Sequence, residues 1–531
     1  MKRYIPAPYP VLSTALFGLA TLLTTWATGG LSPSLLNPDE GAHYVNALFL
    51  GDWLRAGLPS PLPFARDFYA HFPRLSIGHW PPGWYMLQAP LFAAWRPAAV
   101  EALALSAFVA GLPAGLILWA FGRSGRPRLG ATVALAYILS PLVVDAGRHI
   151  LLDQPVALVV GLAAIAWFHA SREPSLRRLL LFGVVAAAAP LVKGNGALVA
   201  LVPAIDVALT RRWAMLRVPA LWVAAAVAAL IVGPWYWLSF RISAGGFNFE
   251  PGPAYAWAAL RANLAALLEN VGVAGVALAA GGAVAAILAG GERARLAKLA
   301  LSVVIATLAF QSAVPVALEP RYIAPLLPWI YVLGGLGLAV AFERRRGRLV
   351  AAAAGALALI PAAVNLWSLP PKPDIGAPIL ARTITGSGGI WLVDARAGGE
   401  GAVIAAVAHA DGGRRRVWIA RASQWLSTSD FMGRGYRLTA ADPAAADAVL
   451  DRLGVAGVVS IAERHRPAYP HSVVLNRAIR SGGYLVATRR FPVGAGATTV
   501  ATRVGGATPH PELLAAGAGS ANVGKLGSAL D

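Results

Sequence analysis

The segment NPDEGAH at residues 37–43 holds two adjacent carboxylates and a histidine, in a chain with 25 acidic residues among 531. Acids placed directly after a long apolar stretch could remove a proton from a hydroxyl group as a general base. A structural alternative stays open, because Asn37 could cap a helix whose capping box Glu40 completes. Capping explains Asp39 less well, since a second acid adds little to a closed box. Asp39 and Glu40 are therefore the candidate catalytic residues.

Isolated cations recur at the ends of three later apolar stretches, at Arg148, Lys193 and Arg321. A lone cation in such a place is costly unless it is paired or reaches the lipid headgroups. Acidic residues accompany these cations at Asp145, Asp153 and Glu319. Cations that face acids are typical of a cavity for a lipid-linked phosphate whose acceptor must lose a proton. Ion pairs that only hold helices together remain the alternative.

The stretch GHWPPGWYML at 78–87 is the other distinctive segment. Its two prolines end any helix, and its tryptophans and tyrosine suit a membrane interface. A plain re-entry turn with an aromatic belt explains these features. The functional alternative adds His79 as a hydrogen-bond donor to a substrate.

The elements that must position these residues are membrane helices. The chain is 57% hydrophobic and 13% charged, about half of the charge content of a soluble protein, with a mean hydropathy of +0.60. Its net charge of +20 would suit nucleic-acid binding in a soluble protein. Here the basic residues collect in short loops between apolar runs, which indicates loops on the cytoplasmic side and makes nucleic-acid binding the weaker interpretation; no nucleic-acid partner is expected. The absence of cysteine excludes disulfides and Cys-ligated zinc.

Placing every basic loop inside predicts about eleven transmembrane helices, with the N-terminus in the cytoplasm. The predicted spans are 11–28, 100–121, 130–143, 152–170, 179–192, 195–210, 218–240, 265–290, 299–317, 322–342 and 349–366. They belong to a membrane domain at 1–370 with a large first outer loop at 29–99. The candidate residues then all lie at the outer ends of helices.

A change of composition after Pro370 predicts a second domain. Strand-like apolar runs alternate with helical patterns there, which indicates an extracytoplasmic α/β domain on a mostly parallel sheet at 371–493. The Gly- and Ala-rich segment 494–531 is predicted to be a disordered tail.

The segments NPDE with His43, HWPP, RHILLDQP, LVKGNG and EPRYIAP occur in this order, all on the outer side. Together they resemble the GT-C glycosyltransferases. Within this class the chain looks most like the family of dolichyl-phosphate-mannose protein mannosyltransferases and lipid A aminoarabinose transferases. The resemblance covers about residues 1–366 and implies a GT-C-like helical membrane fold.

The resemblance also implies a reaction. One sugar would pass, with inversion, from a polyprenyl-phosphate carrier to a hydroxyl of a glycan, lipid or protein acceptor. Asp39 would be the general base, and Glu40 would hold the acceptor or orient Asp39. Lys193 and Arg321 would neutralise the donor phosphate. The other expected substrate-binding residues are His43, His79, Arg148, Asp153 and Tyr322.

Neither a cofactor nor a resident metal is expected, although Asp39, Glu40, Asp145 and His79 could in principle hold a divalent cation. Composition favours a bacterial plasma membrane and an undecaprenyl or decaprenyl carrier. Two other functions stay open: a secondary transporter or lipid-carrier flippase, for which broken helices are typical, and a scaffold that presents the outer domain. A transporter fits less well because the charges gather at one face, beside a large loop.

Overall fold

The computed structural model describes residues 9–245, 247–343, 347–430, 433–463, 466–490 and 496–518. Helices and the loops between them form the described residues up to 370, and an α/β domain follows them. The predicted fold class, a polytopic helical membrane protein with a C-terminal α/β domain, is therefore confirmed.

Each of the eleven predicted spans contains at least one helix. The helices of this region are α1 Tyr9–Ala27, α2 Glu40–Arg55, α3 Pro61–His71, α4 Gly83–Ala94, α5 Ala99–Gly111, α6 Ala114–Arg123, α7 Pro127–Ile138, α8 Pro141–Gly147, α9 Asp153–Arg172, α10 Leu176–Val192, α11 Leu201–Thr210, α12 Pro219–Ala244, α13 Pro253–Ala289, α14 Gly291–Ala313, α15 Leu327–Glu343, α16 Gly347–Ala358 and α17 Ile360–Ser368. Three short 3₁₀ helices lie at Gly194–Ala200, Trp213–Arg217 and Pro320–Ile323. Many of these helices begin with proline, whose missing N–H is tolerated in a first turn.

Six helices of the described residues are long and apolar enough to cross a membrane by length and composition: Ala99–Arg123, Asp153–Arg172, Pro219–Ala244, Pro253–Ala289, Gly291–Ala313 and Gly347–Ser368. A seventh results if α7 and α8, which are bent by 65° against each other, form one span. Val11–Ala27, Gly194–Thr210 and Leu327–Glu343 are shorter apolar helices. The predicted number of about eleven therefore includes several helices that do not meet this criterion singly.

The two ends of the helical region carry different charges. At one end the basic loops gather around two acids, with Arg123 bonded to Glu292 and Arg126 to Glu343, both at 2.5 Å. The candidate residues lie at the other end, because α9 ends at this basic side and begins with Asp153 on the opposite one. We call the end that holds Asp153 the outer end, in line with the predicted orientation.

The first outer loop folds together with the α/β domain. Helices α2, α3 and α4 of this loop share one hydrophobic core with the strands and helices that follow residue 374. Tyr44 and Phe68 from the loop lie in the same core as Trp391 and Val403 from the domain, and all four are buried. Burial of such large side chains stabilises the contact, so the loop and the domain form one body.

The α/β domain contains a five-stranded sheet in the order β2–β1–β5–β7–β6. Its strands are β1 Gly389–Asp394, β2 Val417–Arg421, β5 Val455–Ala462, β6 Tyr484–Arg490 and β7 Ala497–Arg503, and β3 Ser427–Thr428 and β4 Arg437–Leu438 form a separate pair. Its helices are α18 Ala377–Ser387, α19 Ala397–Asp411, α20 Ala422–Trp425, α21 Pro443–Leu453, α22 Pro470–Ser481 and α23 Pro511–Ala518.

Two expectations for this domain need correction. The sheet is mixed rather than mostly parallel, because β1 pairs in parallel with β2 and β5, whereas β7 runs antiparallel to β5 and β6. The predicted disordered tail at 494–531 contains β7 and α23, so the domain continues beyond residue 493. Strand β7 was not predicted because its sequence is polar and rich in threonine. It forms a strand because it pairs with β5 on one side and with β6 on the other. Residues 519–531 lie outside the described part of the chain.

Glycines bring α19 against the turn that carries the acid pair. A Cβ atom on Gly398 would lie 2.0 Å from the Leu36 carbonyl oxygen, and one on Gly41 would lie 2.5 Å from the Gly401 carbonyl oxygen. Contacts this short leave no room for a side chain. The backbone of α19 therefore lies in direct contact with the chain on both sides of residues 37–40.

We expect Gly398→Ala to lower the free energy of unfolding by about 1–3 kcal/mol, because the new methyl group must push α19 away from Leu36. Thermal unfolding of the purified protein in detergent, followed by tryptophan fluorescence, measures the effect. Gly386→Ala is the matched control, since a Cβ there meets nothing within 4 Å. Equal melting temperatures for the two variants would contradict this prediction.

Candidate active site

The acid pair lies in the turn that opens α2. The side-chain oxygen of Asn37 accepts a hydrogen bond from the Asp39 N–H at 3.0 Å, and the Glu40 carboxylate accepts one from the Asn37 N–H at 2.9 Å. This reciprocal pattern is a capping box. The capping interpretation therefore applies to Glu40, whereas the carboxylate of Asp39 points to other partners.

Glu40 is fully buried and surrounded by donors. Its Oε1 atom accepts hydrogen bonds from Lys372 Nζ at 2.7 Å and from the Ile150 N–H at 3.1 Å, and His149 Nδ1 lies 3.3 Å from Oε2. Burial would raise the pKa of Glu40, but Lys372 and His149 outweigh it and lower that pKa to about 2. With both oxygens engaged, Glu40 anchors the turn beside Asp39.

Asp39 faces the opposite direction, towards Arg321. Its Oδ2 atom lies 2.7 Å from a guanidinium nitrogen, and the Nε atom of Arg321 lies 2.6 Å from Glu319. Burial alone would raise the pKa of Asp39, but the charge of Arg321 outweighs it and holds that pKa below its ordinary value. Asp39 is therefore an ionised carboxylate, and its side chain is still 26% exposed.

A second ion pair lies beside the first. Lys193 Nζ is 2.6 Å from Asp153 Oδ1, and the same ammonium lies 4.8 Å from the ring centre of Tyr322. The guanidinium of Arg321 lies 5.7 Å from that ring centre. The ring of Tyr322 therefore attracts both cations. The structure brings Asp39, Asp153, Lys193, Arg321 and Tyr322 into one cluster, which we call the outer charge cluster.

Two histidines border this cluster. His43 lies one turn after Asp39 on α2, its Nδ1 atom lies 2.6 Å from the Tyr85 hydroxyl, and its ring packs 4.6 Å from that of Trp80. The Ser243 hydroxyl at the end of α12 donates to the carbonyl oxygen of His79. Burial lowers the pKa of His43 to about 3 and that of His79 to about 4. Both rings are neutral at pH 7, so they suit neutral groups better than a phosphate.

Arg148 is placed differently from the other predicted substrate-binding residues. Its guanidinium donates to the Thr28 carbonyl oxygen at 2.9 Å and to the Pro370 carbonyl oxygen at 2.5 Å, which ties the end of α1 to the end of α17. Its own carbonyl oxygen accepts a hydrogen bond from Lys372. The structure thus shows Arg148 bonded to the backbone and to the Thr28 hydroxyl, and its role in substrate binding stays a prediction.

Sequence reasoning missed Lys372 and His149, the two partners of Glu40. The sequence contained one indication for Lys372. Lysine is rare in this chain, with five lysines against forty arginines, and Lys372 directly follows the last span. A lysine is a compact charge that fits a narrow buried site. His149 lies within the segment RHILLDQP, in which the neighbouring Arg148 is the predicted substrate-binding residue.

The helical fold with its α/β domain is similar to that of membrane glycosyltransferases of the GT-C type. Residues 81–237 match the family model described as dolichyl-phosphate-mannose-protein mannosyltransferase. No curated protein matches the chain by sequence. The matched range contains Asp153 and Lys193. The predicted resemblance to GT-C glycosyltransferases and the predicted enzyme class are thereby confirmed.

The fold is similar to that of ArnT from Cupriavidus metallidurans. The crystal structure of ArnT bound to undecaprenyl phosphate is 15% identical, has a TM-score of 0.57, and the match covers 93% of this chain and 99% of that chain. For the apo state the identity is 16%, the TM-score 0.58 and the coverage 93% and 98%. At such identities the likeness shows a shared fold.

An archaeal enzyme has the same kind of fold. The oligosaccharyltransferase of Archaeoglobus fulgidus, in a complex with zinc and sulfate, is 15% identical with a TM-score of 0.54. The match covers 92% of this chain and 72% of that chain. The likeness therefore extends through the membrane region and into the outer domain.

The two adjacent acids of this chain have protein side chains as partners. Asp39 is paired with Arg321, and Glu40 is paired with Lys372 and His149. Among the residues that the structure describes, no group of three or more His, Asp or Glu side chains is arranged to hold a metal ion. We therefore derive no step through a metal, and metal independence stays a prediction.

We expect the stability of the protein to fall between pH 7 and pH 10 through His149. Burial favours the neutral ring, but Glu40 and Asp145 outweigh it and raise the pKa of His149 to about 9. The ordinary value is about 6.5, so the contribution is complete below that pH and is lost as pH rises through 9. This contribution to the free energy of unfolding is at most about 3 kcal/mol.

His149→Gln should flatten the pH dependence of thermal unfolding. The substitution His510→Gln, at an exposed histidine, should preserve that dependence. An unchanged slope in His149→Gln would contradict this prediction.

Proposed function

We propose that this protein transfers a single sugar from a polyprenyl-phosphate carrier to an acceptor hydroxyl on the outer face of a bacterial plasma membrane. The observation that carries the proposal is the outer charge cluster, in which an ionised Asp39 faces Arg321 and Lys193. One group accepts a proton and two groups bind phosphate, and all of them lie at the outer end of the helices. The undecaprenyl phosphate bound to ArnT, a protein of the same fold, supports the kind of carrier.

Arg321 and Lys193 would bind the phosphate of the donor. Arg321 presents a planar guanidinium, and Lys193 is a compact charge close to the same Tyr322 ring. A phosphate on an anomeric carbon is a good leaving group whose negative charge grows as the bond breaks. Fixed cations in a cavity with little water stabilise that charge strongly. This reaction therefore needs no strong general acid.

Asp39 would act as the general base. The acceptor oxygen forms a bond to the anomeric carbon, the bond from that carbon to the phosphate oxygen breaks, and the electron pair leaves with the polyprenyl phosphate. The proton of the hydroxyl passes to Asp39. A single displacement of this kind inverts the configuration at the anomeric carbon.

The low pKa of Asp39 is compatible with this role. The carboxylate is ionised at every physiological pH, so it is always ready to accept a proton. The attacking hydroxyl becomes strongly acidic once its oxygen begins to bond to the anomeric carbon, and a weak base then suffices. In addition, a donor phosphate competes for Arg321, which releases Asp39 and raises its basicity when the donor is present.

Replacing Asp39 by Asn should lower kcat by about 10²- to 10⁴-fold, because the base is lost while the phosphate-binding cations remain. Transfer from a panel of radiolabelled polyprenyl-phosphate sugars measures the effect. Asp67→Asn, an exposed acid of the same outer loop that pairs with Arg415, is the matched control and should retain full activity. Equal turnover in Asp39→Asn and wild type would remove the proposed base. The absence of turnover with every donor would favour a transporter.

Replacing Arg321 or Lys193 by Gln should weaken the binding of undecaprenyl phosphate by at least about tenfold, since a hydrogen bond between charged groups contributes about 1.5–3 kcal/mol. Quenching of tryptophan fluorescence or a filter assay with the labelled lipid gives Kd. Arg55→Gln, an exposed cation of the first outer loop, should leave Kd unchanged. A Kd that is the same in all three variants would argue against the phosphate site.

A further inference from the structure

A groove of about 990 Å³ lies at the basic end of the helical region, beside the turn that joins α9 to α10. It is lined near the turn by Arg177 and Arg178, and further along α10 by Leu180, Leu181 and Val184. Leu181 and Val184 are 58% and 49% exposed. The outer charge cluster lies at the opposite ends of α9 and α10, so this groove is separate from the proposed site of transfer.

The order of these residues along α10 matches the order of the groups in a phospholipid. Arg177, Leu181 and Val184 follow each other at intervals of four and three, so they share one face of the helix. Exposed apolar side chains on a membrane helix face the acyl chains of the bilayer, whereas arginines at its end reach the headgroups. The groove therefore presents cations to a headgroup and an apolar surface to the acyl chains behind it.

The two arginines of the groove lack a protected counter-charge. Arg178 pairs with Glu173, whose side chain is 72% exposed, and Arg177 forms no ion pair with any described residue. Both arginines lie in the first turn of α10, where the positive end of the helix dipole disfavours a cation. The general preference of basic residues for the cytoplasmic side explains their presence in this loop, but not their place in a first helical turn. An anion bound in the groove would offset this repulsion.

Further guanidinium groups converge at the end of α9, next to the turn. The guanidinium carbons of Arg123, Arg172 and Arg295 lie 5.6, 5.8 and 5.1 Å from the ring centre of Phe168. Arg123 and Arg172 share the carboxylate of Glu292. Among the described residues, Arg295 forms no ion pair, and its side chain donates to a serine hydroxyl at 3.4 Å. This end of the hairpin is therefore strongly positive and attracts anions.

We propose that the groove binds an anionic diacyl phospholipid of the leaflet at the basic end, which is the cytoplasmic leaflet in the predicted orientation. The phosphate would lie at the turn and accept hydrogen bonds from Arg177 and Arg178, and the acyl chains would lie along Leu181 and Val184. A free phosphate has the same charge but gains nothing from the apolar part of the groove. The bound lipid would stabilise the hairpin of α9 and α10, because it supplies the counter-charge that the arginines lack.

Binding of three probes tests the chemistry of the groove. The full-length protein in a neutral detergent is titrated with phosphatidylglycerol, phosphatidylcholine or inorganic phosphate. The melting temperature and the lipid retained in native mass spectrometry report binding. Phosphatidylglycerol should raise the melting temperature and bind at least about tenfold more tightly than either other probe, because it alone combines a net negative charge with acyl chains.

A charge-removing variant tests the location. Arg177→Gln combined with Arg178→Gln should weaken the binding of phosphatidylglycerol at least about tenfold, because the charge-assisted hydrogen bonds to the phosphate are lost. Arg128→Gln is the matched control and should leave Kd unchanged, since this arginine is exposed at the same end of the helical region but does not line the groove. Melting temperatures without lipid confirm that the variants are folded.

Equal losses of binding in the double variant and in Arg128→Gln would overturn the inference and assign the lipid to the general positive charge of this end. Equal affinity for phosphatidylglycerol and phosphatidylcholine would overturn the role of the arginines. Equal affinity for inorganic phosphate would overturn the lipid as ligand. Wild-type protein that binds no phosphatidylglycerol would reject the site altogether. None of these outcomes depends on sugar transfer, so the proposed function is tested separately.

Discussion

The buried pair of Glu40 and Lys372 is the interaction on which the outer half of this structure depends. It joins the turn after the first span to the residues just after the last one, 332 positions apart in sequence. Neither partner is tolerated alone in such a place, because an uncompensated buried charge costs about 3–5 kcal/mol. Lys372 also holds the carbonyl oxygen of Arg148, whose guanidinium links α1 with α17. The position of Asp39, one residue before Glu40, follows from this network.

The adjacent acids Asp39 and Glu40 thus have different surroundings. Glu40 has its oxygens filled by protein donors and fixes the backbone, whereas Asp39 keeps an exposed edge and faces cations that a substrate could claim. Such a division explains why two scarce acids adjoin each other. The anchored backbone at Glu40 also helps to hold Asp39 in place beside Arg321.

Much of this arrangement could be predicted from sequence, because apolar length and the location of arginines report directly on membrane helices. The cluster of Asp39, Asp153, Lys193 and Arg321 could be predicted because an unpaired charge near lipid is energetically unfavourable. This cost applies to each residue even when its partner is not known. The partner of each charged side chain was harder to predict from sequence. Arg148, like Lys193, lies at the end of an apolar stretch, yet its guanidinium bonds to backbone carbonyls, and only three-dimensional packing decides between these outcomes. Likewise, β7 is a strand because β5 and β6 flank it, which its own residues do not reveal.

The close backbone contacts between α19 and the turn at 36–41 have a consequence for biosynthesis. Lys372, Gly398 and Gly401 are synthesised long after the turn at residues 37–40, because they lie far behind it in the sequence. The contacts that these residues make with the turn form only after that synthesis. We therefore expect a chain that is interrupted before Lys372 to lack the observed shape of this turn.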